Sequence, residues 1–139
     1  MATTEKNPWR PLRRWEKAAL AAVGVLILIW ATFQTWKNWS FLAHCERVTG
    51  VVVENTGHPV IRFTAAGGAT VQFVQNGYVS RDAGSAIPVA YDPHDPAGTA
   101  RADTFLALWA SILGLLPMSL GCLAAAFLGG EIRLTGRYG

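Results

Sequence analysis

Residues 86 to 103, AIPVAYDPHDPAGTARAD, carry the chain from an alternating apolar run through two Asp-Pro steps to the edge of a long uncharged stretch. Ile87, Val89 and Tyr91 alternate as in a β-strand, whose successive side chains point to opposite faces. Pro88 lacks the N–H that a ladder needs, so this strand is expected at a sheet edge or a bulge. Tyr91, Asp92, Pro93, Asp95 and Pro96 read as a strand end followed by consecutive turns, because proline presets φ and aspartate accepts from backbone two residues on. Asp103 stands where the N-cap of a following helix belongs.

The uncharged stretch beyond it, Thr104 to Gly130, has a counterpart upstream from Ala18 to Trp36. Each reaches the roughly 20 residues that a bilayer-spanning helix requires. The hydrophobic share of 51% is thus concentrated in two blocks. They divide the chain into a basic interfacial segment (1–17), a first transmembrane helix (18–36), a β domain (37–103), a second transmembrane helix (104–130) and a tail (131–139). The expected fold class is membrane α+β, with two transmembrane helices flanking a small antiparallel β domain. Such a small domain buries a modest share of its surface, and it is expected to lean on the helix ends, the membrane surface or a partner.

The net charge of +3 does not point to nucleic acid once it is divided along the chain. Lys6, Arg10, Arg13, Arg14 and Lys17 crowd the first segment against Glu5 and Glu16, whereas residues 37 to 103 hold five basic and six acidic side chains. Lys and Arg beside a membrane helix favour the cytoplasm. The N-terminus is therefore expected inside, the C-terminus with Arg133 and Arg137 returns there, and residues 37 to 103 lie outside the cytoplasm. The bacterial inner (cytoplasmic) membrane is the expected location. A basic segment before an apolar run also describes a cleavable signal peptide. This run, however, leads into Trp36, Lys37 and Trp39 without a small-x-small site, and His44 takes the place a small residue would need before Cys45. An uncleaved anchor is expected. Cys45 and Cys122 fall at different depths, and no disulfide is expected.

Trp9, Trp15, Trp36, Trp39 and Trp109 are candidate interface anchors, since the indole is apolar yet its N–H needs a polar partner. Ala18, Ala22 and Gly24 allow close approach on the first helix. Gly121, Ala125 and Gly129 recur every four residues on the second, for which the first helix is the nearest partner and a second subunit the next. Pro117 predicts a bend.

Between the spans, ERVTGVVVEN (46–55) is rich in β-branched residues and ends at Asn55-Thr56-Gly57, the signature of a strand and turn. Pro59 to Ala65 puts Ile61 and Phe63 on one face, and Thr70 to Gln75 returns as its hairpin partner after Ala66-Gly67-Gly68. Asn76 to Ser85 is the most polar loop, and its Tyr78 and Arg81 are the residue types favoured at binding hot spots.

No catalytic, cofactor or metal site is expected. His44, His58 and His94 with Asp92 and Asp95 lack the paired spacing of a zinc site and the ligand density of a calcium loop. No phosphate loop, nucleophile elbow or Cys-x-x-Cys occurs.

The order VTGVVVE, PVIRFTAAGGATVQF, IPVAYDPHDP and ARAD between two membrane helices resembles a widespread bacterial membrane-protein family known only as a domain of unknown function. Its hallmark, Tyr-Asp-Pro-x-Asp-Pro, is matched by Tyr91, Asp92, Pro93, Asp95 and Pro96, and the resemblance covers about residues 18 to 130. It implies two membrane helices flanking a small β domain, with a partly open barrel as one form that domain takes. It implies no reaction. The expected role is a non-catalytic accessory or scaffold subunit with the lipid bilayer and another membrane protein, or further copies of itself, as partners. An immunity protein against a membrane or periplasmic toxin and an envelope ligand or stress sensor are the alternatives.

Overall fold

The computed structural model describes residues 9–129 and 131–133, and of Trp9 and residues 131–133 the backbone alone. In chain order the elements are β1 (Trp9–Pro11), α1 (Arg14–His44), β2 (Glu46–Asn55), β3 (Pro59–Thr64), β4 (Thr70–Val74), β5 (Ala86–Tyr91), α2 (Pro96–Thr99), β6 (Arg101–Ala102), α3 (Phe105–Leu128) and β7 (Glu131–Arg133). Two compact units result, Met1–Thr32 with Gly114–Gly139 and Phe33–Leu113. Both long helices are apolar and long enough to cross a membrane.

In the first unit β1 and β7 form a two-stranded antiparallel ladder, an element not expected from the flanking segments. The start of α1 is held by Glu16, whose carboxylate accepts from the Arg13 N–H at 2.7 Å and pairs with Arg10 at 2.5 Å. The arrangement serves the orphan donors that every helix N-terminus leaves. Within this unit the helices meet at Gly24, where an added Cβ would lie 2.9 Å from Leu123 Cγ and 3.2 Å from Cys122 Cβ. Ser119, fully buried, donates to the Gly24 carbonyl at 2.8 Å. Gly121 faces open space, with nothing within 4 Å of an added Cβ. Gly121 therefore does not meet α1 in this unit, which leaves the second-subunit alternative for that face untouched. Gly24 does admit its neighbour, but the face of α3 that meets it carries Ser119, Cys122 and Leu123, not Gly121.

Burial recurs at intervals of seven on each helix, at Gly24, Ala31 and Asn38 on α1 and at Ile112, Ser119 and Ala126 on α3.

In the second unit a five-stranded antiparallel half-barrel has the order β4-β3-β2-β5-β6. The 10-residue β2 pairs β5 from Glu46 to Val51 and β3 from Val51 to Asn55, with a bulge between Val52 and Glu54. Such a bulge sharpens the twist. Gly50 sits where strands crowd together, since an added Cβ would stand 2.9 Å from Val89 Cγ2 and 3.0 Å from both the Arg62 carbonyl and Ile61 Cγ2. Val52, Ile61, Phe63, Ile87, Val89 and Tyr91 fill the interior, and Ala107 of α3 packs against them.

Three sequence expectations change here. The strand with Pro88 is not at the edge, because β6 pairs Val89 and Ala90 beyond it. Proline is tolerated because β6 ends there, and the Asp103 N–H meets the Pro88 carbonyl at 2.8 Å. Asp103 is not the helix cap. It pairs with Arg47 at 2.9 Å, and Thr104 accepts from the Ala107 N–H instead. Finally α1 does not stop near Trp36 but continues to His44, leaving Cys45 alone between it and β2.

Candidate functional site

The spacing of α1 places Gln34, Lys37, Asn38 and Phe41 along one face of its last turns, at the intervals of three and four that share a helix side. The first turns of α3 present Leu108 and Ser111, and Arg101 enters from β6. Together they line a cleft of about 510 Å³. Its centre is Arg101. The guanidinium lies 3.9 Å over the Phe41 ring, Nη1 donates to Asn38 Oδ1 at 3.3 Å, and Nε reaches the Thr99 carbonyl at 3.5 Å. Among the described residues no carboxylate pairs with it. Burial pulls its pKa below the ordinary guanidinium value, the direction expected for a charge half removed from water. Asn38 is fixed from its other side by donating to the Leu108 carbonyl at 3.0 Å. Lys37, at the same cleft, places its ammonium 5.8 Å from the Phe33 ring.

Tyr91 and the turn after it do structural work. Tyr91 is 1% exposed, and its hydroxyl donates to Glu46 Oε2 at 2.5 Å while accepting from the Ala66 N–H at 2.9 Å. One phenol thus ties the end of β5 to the start of β2 and to the β3–β4 turn. The bond to Glu46 raises its pKa, because ionisation would set two anions against each other. Asp92 Oδ1 accepts from the His94 N–H at 2.9 Å, and Asp95 Oδ1 accepts from the Gly98 N–H at 3.0 Å to cap α2, which has Pro96 at its start. Gln75 stitches the two sheet edges, its Oε1 accepting from the buried Ala102 N–H of β6 at 3.0 Å.

No family model, curated protein or solved structure matches this chain.

Tyr78 and Arg81 do not stand apart from the helices but line a cavity of about 210 Å³ with Thr104, Phe105 and Leu106 at the foot of α3. Tyr78 has φ of 59°, a left-handed backbone uncommon outside glycine, and its ring is exposed. Trp15, Trp36 and Trp39 are exposed and Trp109 is partly buried, whereas the Trp9 side chain lies outside the described residues, as do residues 130 and 134–139. Gly121 and Gly129 are exposed and Ala125 is partly buried. Cys45 and Cys122 are free thiols. Sequence reading missed Arg101, Asn38 and Gln75. The polar positions at 34, 37 and 38 share a helix face with Phe41, and that signal was present but weak.

Proposed function

We propose that the chain is an integral protein of a bacterial inner membrane, with its termini cytoplasmic and residues 37–103 outside. There it serves as a non-catalytic accessory or scaffold subunit whose half-barrel receives another protein. The membrane part is supported by the two apolar helices and by the large hydrophobic side chains they leave open, among them Leu26, Ile29, Leu120 and Phe127. The Tyr91 to Pro96 turn supports grouping the chain with the two-span family of unknown function that it resembles.

The observation that carries the scaffold role is the outer face of the sheet. Val51 and Val53 are 47% and 37% exposed and border an open cleft of about 480 Å³ with Thr49, Arg62 and Thr64. β-branched side chains left in water on a sheet face, rimmed by polar groups, have the make-up of a protein contact. Purification in mild detergent with mass spectrometry tests this. A stoichiometric companion, or a homo-oligomer, that is lost in Val51→Asp is expected, and a clean monomer with no companion would overturn it. Resistance to alkaline extraction, with labelling of cysteines placed at 56 and 67 from outside the cell, checks insertion and orientation separately.

A further inference from the structure

The cleft around Arg101 combines features that the scaffold role does not use. Its two cations, Arg101 and Lys37, come from different elements and no acidic side chain lines it. The guanidinium is held in place from three sides, by Phe41, Asn38 and Thr99, while Nη2 donates to no described residue. A half-buried, oriented guanidinium without a carboxylate is costly unless something anionic completes it, and its planar fork matches the oxygens of a phosphate. Gln34, Asn38 and Ser111 add hydrogen-bonding groups on the same wall. Phe41, Leu108 and Ile112 make the rest of the lining apolar. The cleft is thus cationic at one part and greasy at another, in the size range of small-molecule sites. It lies on the last turns of α1 and the first of α3, where the apolar stretches give way to Lys37 and Arg101.

We propose that this cleft binds a phosphate-bearing anion, with Arg101 and Lys37 on the phosphate oxygens and the apolar wall receiving the hydrocarbon of an anionic phospholipid. The lipid source rests on the chain being membrane-inserted, but the phosphate site itself does not. Arg101 supplies the paired donors and Lys37 a second charge, while Asn38 positions Arg101.

The test uses the full chain purified in a non-ionic detergent. Native mass spectrometry is run after adding short-chain phosphatidylglycerol, short-chain phosphatidylcholine, glycerol 3-phosphate or inorganic phosphate. Wild type is expected to retain phosphatidylglycerol over phosphatidylcholine by about tenfold, the scale of one good charge-assisted pair. Arg101→Gln and Lys37→Gln should each remove most of that preference, and Arg101→Lys should recover only part of it. Lys37 is exposed, so Lys37→Gln keeps the test open should Arg101→Gln fail to fold. Competition by glycerol 3-phosphate and inorganic phosphate would identify a free phosphate as the natural source and uphold the site. Equal retention of both lipids by wild type and by folded variants, with no effect of either phosphate, would overturn it. Alkaline extraction reads insertion independently, so failure of the membrane reading and failure of the site are distinguishable.

Discussion

Gly50 offers the sharpest test of the half-barrel, because its replacement has opposing effects whose sizes can be compared. Alanine lowers the backbone freedom of the unfolded chain, a gain of about 0.5–1 kcal/mol when the native backbone accepts it. Gly50 is not among the residues with positive φ, so that gain is open to it. Against it, the new methyl would meet Val89 Cγ2 at 2.9 Å, the Arg62 carbonyl oxygen at 3.0 Å and Ile61 Cγ2 at 3.0 Å. One of these is backbone in the paired strand β3, and both side chains are fully buried, so none can swing away. Overpacking of this kind costs about 1–3 kcal/mol. The net expectation for Gly50→Ala is about 1–2 kcal/mol of destabilisation, or roughly 4–16 °C in midpoint for a domain of this size. Thermal unfolding of the detergent-solubilised chain, followed by circular dichroism, reads it. Val89→Ala removes the closest obstacle, so the double variant should be less damaged than the sum of the singles by about 1 kcal/mol. A raised midpoint in Gly50→Ala, or strict additivity in the double variant, would refute the close packing of β2, β3 and β5.

Gly24→Leu should lower the midpoint through about 1–3 kcal/mol of overpacking against Leu123 and Cys122, whereas Gly121→Leu should change it by less than about 0.5 kcal/mol. The same Gly121 variant, run for oligomeric size, reports whether the open face meets a second chain or lipid. Thr104→Ala should cost about 0.5–2 kcal/mol as the loss of an N-cap. Asp103→Asn should cost no more than about 1 kcal/mol, because the Arg47 partner is largely exposed. Tyr91 has its folded pKa raised by Glu46 above the unfolded value near 10, so the stability it contributes is complete below about pH 10 and is lost as pH rises through the folded pKa. Tyrosinate absorbance should therefore show a late ionisation step that Tyr91→Phe removes and Glu46→Gln shifts to lower pH.

The strands were legible where side-chain chemistry is repetitive. The β-branched run of β2 and the alternation in β3 and β5 each hold a periodic signal, and the buried face of β3 carries Ile61 and Phe63 as expected. β6, with two residues, and α2, with four, are too short to show any period. They exist because Asp95 caps one and Gln75 receives the other across 27 positions of sequence. The cleft was illegible for a similar reason. Arg101 reads as an ordinary charge before a helix until α1 is seen to continue past Trp36 and carry Asn38 and Phe41 to it. A spacing of small residues does not disclose the face of α3 that meets α1, because close approach depends on which turn faces the neighbour. Ser119 and Leu123 do so and Gly121 does not.

One feature of the chain path has a mechanical side. Cys45 alone stands between α1 and β2, and Asp103 with Thr104 alone between β6 and α3. Both junctions are further pinned, by the Cys45 N–H on the Phe41 carbonyl and by the Asp103 carboxylate on Arg47 of β2. Neither is a swivel. A turn of the last residues of α1 about their axis must drag β2, the longest strand of the sheet, with it. Within the second unit the half-barrel is therefore tied to the last turns of α1 and the first of α3, so a torque applied to its outer valines would reach those turns as rotation.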